Sequence, residues 1–336
     1  MSVPMQFLDQ PIEFRPLSGH AHATWSARVS SDELTTFCAA AQAAGRRLIA
    51  LWGSDERDRG PAFGFTLHAA FDLSEGLVCL KLPLPADAPE FPDLTPFFLP
   101  ANRMQRAVHD LTGIKPSSAD QRPWLRHANW PADYFPLRHD TPDARFAAQN
   151  ENYAFVRVEG DGVHEIPVGP IHAGIIEPGH FRFSVMGESV LRLEQRLGWK
   201  HKGIEQRFKG MNLSDGARLA GRVSGDSTAA YAWAYCQAAE AIGDCQPPPR
   251  ALWLRALLLE RERISNHLGD LGYLGNDVAL AFGLSQFMRL KEDWCRLNAR
   301  RFGHRLLMDS IIPGGVARDI DADGTLEIIE QTYALE

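Results

Sequence analysis

The first part of the chain alternates between helical and strand-like spacing of its apolar residues. In residues 30–45 (SSDELTTFCAAAQAAG), Leu34, Phe37 and Cys38 recur at the three- and four-residue spacing of one helical face, after a Ser-Ser-Asp start and before a closing glycine. This pattern predicts an amphipathic helix. The short apolar run that follows at residues 46–53 (RRLIALWG) predicts a strand.

Two further elements complete this part. Residues 63–72 (FGFTLHAAFD) and 76–85 (GLVCLKLPLP) alternate between apolar and polar positions and are separated by a short polar link, which predicts a β-hairpin. Residues 103–113 (RMQRAVHDLTG) have a helical pattern that ends at a glycine, which predicts a second helix. We therefore expect a small sheet covered by two helices.

β-rich runs also begin the second part of the chain. Residues 153–169 (YAFVRVEGDGVHEIPVG) and 180–198 (HFRFSVMGESVLRLEQRLG) each contain two such runs around a glycine-bearing turn, at 161–162 and 187–188. These patterns predict two hairpins. Helical spacing dominates from about Asp226 onward.

Long helices are predicted after that point. Three prolines at 247–249 suit the first turn of a helix, where a missing N–H costs no hydrogen bond. The helix that follows has an apolar stripe, and we expect its charged residues Arg255, Glu262 and Arg263 to face elsewhere. The stripe consists of Leu254, Leu257, Leu258, Ile264 and Leu268. Another helix is predicted over 280–302, and the chain stops inside a further helical pattern, so we expect a bundle that is C-terminally incomplete.

A polar segment without apolar repeats separates the two parts, and we place a linker there at residues 141–152. At 336 residues the chain is long enough for two domains, because single cores stop growing at about 250 to 300 residues. The predicted fold class is α+β. A small α/β domain at 1–140 is followed, at 153–336, by a β-rich lead-in and a mainly α-helical bundle.

Composition excludes several functional classes. A formal net charge of −7 and a pI near 6.0 argue against a nucleic-acid binder, which needs a basic face for phosphates. No apolar run in the sequence approaches the ~20 residues that cross a bilayer, so we expect no direct membrane span. The five scattered cysteines fit a reducing cytoplasm. Phosphate-loop and dinucleotide motifs are absent from the sequence, so this chain is not expected to bind NAD.

Residues 222–228 (RVSGDST) place Ser224 and Ser227 three apart at the start of a helix. Ser224, Asp226 and Ser227 are all good helix caps, and composition alone favours that role. The helix that follows is rich in small residues (TAAYAWAYCQAAEA), which is typical of a buried central helix.

Five motifs in order carry a family resemblance: VGPIHAGIIEPGHFRF, WKHKGIEQRFKG, RVSGDSTAAYAWAYCQAAE, LLLERERISNHLGDLG and PGGV. They resemble the large subunit of membrane-bound NiFe hydrogenases of the formate hydrogenlyase and hydrogenase-4 type, and equally the D subunit of complex I (NADH-quinone oxidoreductase). The N-terminal motifs HDLTGI, ADQRP and WPADYFPLRHD resemble the C subunit of the same complex. The chain therefore resembles a fusion of the two, a C/D subunit.

The hydrogenase branch of this family has R-x-C-G-x-C where this chain has Arg222 to Ser227. Nickel and low-spin iron require soft thiolates, whereas a serine hydroxyl neither ionises near neutral pH nor supplies a soft donor. We therefore expect the serines to cap the helix where relatives hold metal, and we expect no metal ligands.

The complex I branch uses the same cavity as a quinone chamber, and the resemblance assigns its residues by position. The quinone-head histidine falls on His172 and the chamber aspartate on Asp277, so both are candidate acceptor-binding and catalytic residues. Glu205 matches a proton-relaying glutamate, and Arg222 is a candidate catalytic residue at the helix start. The family's tyrosine, however, falls on Leu219.

Each candidate also has a purely structural interpretation. His172 beside a proline could be a satisfied turn or core residue, and Asp277 after Gly-Asn could be a turn or helix cap. Glu205 could pair with a basic neighbour on a solvated surface. Arg222 could form a structural salt bridge, which would look identical in sequence.

The resemblance implies a subunit of a membrane-associated oxidoreductase that transfers electrons to a quinone-type acceptor, coupled to proton or ion movement. No cofactor is expected on this chain itself. A small partner subunit would hold an iron-sulfur cluster, antiporter-like and other membrane subunits would lie beneath, and the chain would be peripheral on the cytoplasmic face of the membrane. Two alternatives stay open: a catalytically silent scaffold that docks the iron-sulfur subunit, and a NiFe hydrogenase large subunit.

Overall fold

The structure is a computed structural model that describes residues 6–17, 23–127, 130–142, 144, 146, 154–172 and 176–335. It divides into two compact units, residues 1–154 and 155–336. The linker predicted at 141–152 lies for the most part outside the described residues.

A mixed sheet forms the centre of the first unit. Five strands of its described residues pair in the order β1-β2-β5-β4-β3, with β2 and β5 parallel and the other neighbours antiparallel. Their bounds are Arg15–Pro16, Thr24–Arg28, Arg47–Asp55, Phe65–Leu73 and Gly76–Leu84 for β1 to β5, and a short parallel pair is formed by β6 at Glu90–Phe91 and β7 at Lys115–Pro116. The predicted hairpin is therefore β4–β5.

Two helices lie against this sheet, as the sequence predicts. The first, α1 at Ser31–Ala43, starts with a capping box in which the side chains of Ser30 and Glu33 each accept from the other residue's backbone N–H. The second, α2 at Ala101–Thr112, packs on β3 at Gly53, where an added Cβ would lie 3.1 Å from Thr112 Oγ1 and 3.2 Å from Val108 Cγ1. Side chains of β4 alternate between the two faces of the sheet. Its odd-numbered residues from Phe65 to Leu73 are all buried, so this face packs in the core.

A smaller antiparallel sheet begins the second unit. Among the described residues it contains β8 at Val163–Val168, β9 at His180–Met186 and β10 at Ser189–Arg196, in the order β10-β9-β8. The predicted hairpin at 187–188 is confirmed as β9–β10.

The hairpin predicted at 161–162 is wrong, because residues 154–159 form no strand. The residues before the turn form no backbone ladder and instead contact side chains of the later strands. Phe155 packs on Arg182 and His180, and the Val156 N–H donates to Glu194 at 2.9 Å. As a result β8 pairs with β9 rather than with the residues that precede it.

Helices follow to the end of the described chain. Their bounds are Ile204–Arg207, Leu213–Ala220, Thr228–Ile242, Pro249–Asp277, Ala281–Phe302 and Ala322–Tyr333 for α3 to α8, with a short hairpin of β11 at Ile311–Ile312 and β12 at Gly315–Val316 before α8. Glycines along α6 let α7 approach closely: a Cβ on Gly272 would lie 3.4 Å from Phe287 Cβ, and one on Gly275 would lie 3.1 Å from Leu284 N. The α+β class, with a β-rich start to a helical second part, is confirmed.

Two charged residues of α6 do not face away from the core, contrary to the sequence prediction. Arg255 is fully buried and Glu262 is 7% exposed. Arg255 donates to Glu240 of α5 at 2.6 and 3.0 Å and to the carbonyl oxygens of Ile312 and Gly315. These buried charges are tolerated because each has hydrogen-bond partners.

None of the helices in the described part of the chain has the length and hydropathy that a membrane crossing requires.

Candidate functional site

The loop between α4 and α5 carries the two serines. Ser224 donates its hydroxyl to the Asp226 carboxylate, and Ser227 occupies the N-cap position of α5 without making a side-chain capping bond to any described residue. The prediction that these serines cap the helix is therefore wrong. Another residue holds the start of α5 instead.

That residue is Glu262, which reaches across from α6. Its carboxylate accepts from the N–H of Ala230 at 3.1 Å and also from the N–H of Ala229. A negative charge at a helix N-terminus is favourable because the free N–H groups there carry partial positive charge. Burial raises the pKa of Glu262, while the two backbone N–H groups act in the opposite direction.

Arg222 is fixed by two hydrogen bonds to the carboxylate of Asp309, at 2.7 and 2.8 Å. It also donates to the carbonyl oxygen of Arg218 at 2.8 Å. Hydrogen bonds from Arg222 lower the pKa of Asp309. The sequence predicts a fixed acceptor for Arg222, and this pair supplies one, in the form of the structural salt bridge that the sequence leaves open.

A lysine connects this loop to the segment that contains Glu205. Lys202 Nζ donates to the carbonyl oxygens of Val223 at 2.8 Å and Arg222 at 3.3 Å, and Arg207 Nε donates to the Lys202 carbonyl at 2.7 Å. These two basic residues therefore use carbonyl acceptors rather than the carboxylate of Glu205. Glu205 lies exposed on α3, three residues after Lys202.

His172 lies in the connection between β8 and β9. Its ring centroid is 5.8 Å from that of Phe181, and on another side Gly169 is so close that an added Cβ would lie 2.9 Å from His172 Cδ2. The ring is thus held in place by packing. Its Nε2 is shielded from solvent yet has no hydrogen-bond partner among the described residues, which is unusual, since buried polar atoms are nearly always paired.

Asp277 is the last residue of α6 and is exposed. The structure brings the Glu205 segment and Arg222 together through Lys202. Within the described ranges, no hydrogen bond or ion pair joins His172 or Asp277 to that pair, or to each other.

Three residues of this region escaped the sequence prediction: Glu262, Asp309 and Lys202. No local signal indicates the first, because its contact with Ala229 spans 33 residues of sequence. Asp309 has no such signal, since its contact with Arg222 spans 87 residues of sequence. No group of three His, Cys, Asp or Glu residues in the described chain could hold a metal ion.

Residues 27–146 match the family model described as the respiratory-chain NADH dehydrogenase 30 Kd subunit. The whole chain is 31% identical to formate hydrogenlyase subunit 5 of Escherichia coli over 84% of its own length, and 32% identical to hydrogenase-4 component G of the same organism, also over 84%. It is 26% identical to the C/D subunit of the NADH-quinone oxidoreductase of Gluconacetobacter diazotrophicus over 88% of its length. The chain is therefore similar to a fusion of the C and D subunits of such a complex.

The fused C/D-like chain spans about half the length of these curated relatives, namely 51%, 52% and 54% of the three. The resemblance found in the motifs is confirmed by these matches.

Proposed function

We propose that this C/D-like chain is a subunit of a membrane-associated redox complex and that it binds a quinone-type acceptor through His172. The similarity to subunits of hydrogenases and NADH-quinone oxidoreductases over most of the chain supports the first part. The observation that carries the second part is the Nε2 of His172, which is shielded from solvent and has no hydrogen-bond partner in the part of the chain that the structure describes. A ring held in place by packing, with a free polar atom, is prepared to bond a ligand oxygen.

A histidine suits this role because its ring nitrogen can donate to a quinone carbonyl and can change protonation near neutral pH. Asp277 would set the charge state of that histidine once the acceptor and the partner subunits complete the chamber. Glu205, which is exposed on α3, would exchange protons with solvent. Arg222 would keep the loop in place through its bond to Asp309.

The donor groups in the loop do not fit a nickel-iron centre. Serine hydroxyls stand where the hydrogenase motif has thiolates, and the hydroxyl of Ser224 is already committed to Asp226. A hydroxyl is a hard donor that stays protonated near neutral pH, so it cannot replace a thiolate toward these metals. We propose that no step of this chain's activity uses such a centre.

We propose that the electrons come from an iron-sulfur cluster held by a small partner subunit. Antiporter-like and other membrane subunits would couple the transfer to proton or ion movement. This arrangement would place the chain peripherally, on the cytoplasmic face of the membrane.

A scaffold without catalysis is the second candidate function. It is favoured by the exposure of Asp277 and Glu205 and by Leu219, which stands where the complex I branch has a tyrosine. In this role the chain would hold the iron-sulfur subunit to the membrane subunits.

Titration of a quinone analogue into the purified native complex separates the two functions. We expect His172→Ala to weaken binding by about tenfold or more, because it removes a hydrogen bond to the ligand in a buried site. His164→Ala, which changes an exposed histidine of β8, should leave binding unchanged. If the complex binds the analogue equally with and without His172, the quinone proposal fails and the scaffold stands.

A further inference from the structure

Helix α8 is attached to the rest of the second unit by one face. On that face, Ile328 is 6% exposed and belongs to the hydrophobic core of the unit. Gln331, three positions further, accepts from the buried Arg261 of α6 at 2.8 Å and donates to the carbonyl oxygen of Asp293 of α7 at 3.0 Å. Because residues three apart share one face of a helix, these contacts define the inner face of α8.

The opposite face of α8 is apolar as well. We define the α8 stripe as Leu326, Ile329 and Tyr333, which stand at positions i, i+3 and i+7 and therefore lie along one side of the helix. Their exposed fractions are 58%, 44% and 71%. Single exposed apolar residues are ordinary, but a row with this spacing is the anchor pattern of a helix that packs against a partner.

One edge of the α8 stripe is acidic. Asp323 and Glu330 are both exposed and flank Leu326, at i−3 and i+4, so they lie on the same side of α8 as the stripe. Neither carboxylate forms a hydrogen bond or an ion pair with a described residue. Arg301 of α7 lies near Asp323 but is already bonded to Glu327 at 2.9 Å. This edge therefore keeps two negative charges beside an apolar row.

The end of α8 favours positive charge for a second reason. Its last turn contains no basic residue, although the free carbonyl groups at a helix C-terminus carry partial negative charge and are stabilised by cations. Glu330 adds a full negative charge in the same turn. A cation brought by another molecule would be attracted both by this carboxylate and by the helix end.

These charges distinguish between the possible occupants of the stripe. Residues 321–333 contain four aspartates and glutamates and no lysine, arginine or histidine. An anionic membrane attracts amphipathic helices through lysine and arginine, so it would repel this one. A second copy of the chain that packed through the same face would bring like charges together. A basic helix of another protein satisfies both the apolar row and the acidic edge.

We propose that the α8 stripe binds an amphipathic helix of a partner protein. Apolar side chains of that helix pack on Leu326, Ile329 and Tyr333, and its lysines or arginines pair with Asp323 and Glu330. Since the two carboxylates are seven positions apart, the partner helix carries two basic residues with the same spacing. This contact goes beyond the redox function proposed above and does not depend on it, because it requires neither a quinone nor His172.

Photo-cross-linking in the cells that produce the protein identifies the occupant. Tyr333 is replaced by p-benzoylphenylalanine, and the matched control places the same group at Trp253, an aromatic residue of α6 that is 78% exposed. We expect the group at position 333 to cross-link to another protein. Mass spectrometry should locate the cross-link in a helical segment with two basic residues seven apart, and the control should not give this product.

Charge reversal tests the acidic edge. Asp323→Lys/Glu330→Lys should lower the yield of the cross-link by about tenfold or more, because attraction becomes repulsion. Asp161→Lys/Glu188→Lys, which reverses two exposed charges in turns of the smaller sheet, should leave the yield unchanged. Changing the two basic residues of the partner to glutamate should restore the cross-link to the first variant, which separates lost attraction from lost folding.

Several results would overturn the proposal. They are the absence of any cross-link from position 333, a cross-link to lipid or to a second copy of this chain, and a partner segment without basic residues. An equal loss of the cross-link in the two charge-reversed variants would overturn it as well, and so would failure of the exchanged charges to restore it.

Discussion

One carboxylate, that of Glu262, holds the start of α5 by accepting from the N–H groups of Ala229 and Ala230. The Ser224 and Ser227 hydroxyls do not perform this role. The residue that holds the start of α5 therefore comes from a different helix, 33 positions from Ala229 along the chain.

Replacing Glu262 by alanine should destabilise the second unit by about 2 kcal/mol, because the buried N–H of Ala229 and the partly buried N–H of Ala230 lose their acceptor. Hydrogen exchange of the first turns of α5 would report the loss as faster exchange. Glu260→Ala provides the control, since Glu260 is exposed and pairs with Arg263 three positions on, and it should change stability by no more than about 0.5 kcal/mol. Equal effects from both substitutions would contradict the capping role.

Asp55 makes the stability of the first unit depend on pH in the acid range. Burial by itself would raise the pKa of its carboxyl, but hydrogen bonds from the Arg57 guanidinium and from the backbone N–H of Arg57 and His139 outweigh burial and lower the pKa to about 2. Its side chain is only 1% exposed. Because the folded pKa lies below the unfolded value, the ionised carboxylate stabilises the fold above about pH 4, and this stabilisation is lost as the pH falls toward about 2.

We expect this loss to reach about 2 kcal/mol. Hydrogen exchange of β3 peptides, compared between about pH 5 and about pH 2.5 and corrected for intrinsic rates, should show it. Asp55→Asn should flatten this part of the profile, whereas Asp32→Asn, in the first turn of α1, should not. A profile that keeps its slope without Asp55 would assign the acid sensitivity to other groups.

Among the secondary-structure elements, the buried pair of Arg255 and Glu240 connects α5 to α6 and to the β11–β12 hairpin. Arg255 contributes the bonds to Glu240 and to two hairpin carbonyls, and Glu240 also accepts from the Gly314 N–H at 2.7 Å. One ion pair therefore fixes three elements relative to one another.

Arg255→Met should destabilise the second unit by about 3 to 5 kcal/mol, because it leaves Glu240 buried without its counter-charge. Arg250→Met is the matched control on the same helix: its partner Asp319 and Arg250 itself are both 62% exposed, so the change should cost about 1 kcal/mol or less. Urea unfolding of each variant gives the comparison. The double variant Arg255→Met/Glu240→Leu should recover part of the loss, and failure to recover any would show that the hairpin bonds, not the charge pair, dominate.

Elements with a strong local pattern were predicted well from the sequence. The helices α1, α2, α6 and α7 and the hairpins β4–β5 and β9–β10 all formed, because helical periodicity, alternation and turn residues act over a few positions. The hairpin at 161–162 did not form, because Phe155 and Val156 contact β9 and β10 instead. Side-chain packing overrode a turn signal there.

For the whole molecule, the presence of Ser224 and Ser227 where the hydrogenase motif has cysteines predicts that the chain binds no nickel. We expect elemental analysis of the purified chain to find nickel far below one atom per protein, since serine hydroxyls do not bind it as thiolates do. The double variant Ser224→Cys/Ser227→Cys should gain binding of a soft ion such as cadmium, which controls for access to the loop. Stoichiometric nickel in the unaltered chain would contradict the proposed function.

By itself the sequence determined the fold class, most helices and hairpins, the family resemblance and the absence of thiolates at the loop, because each of these depends on residue type and short-range spacing. Only the tertiary structure decided that Glu262 caps α5, that Asp309 holds Arg222, that Arg255 is buried and that His172 Nε2 has no hydrogen-bond partner among the described residues. The first three contacts join residues tens of positions apart. Which distant groups meet depends on how the elements pack, and local pattern does not encode it.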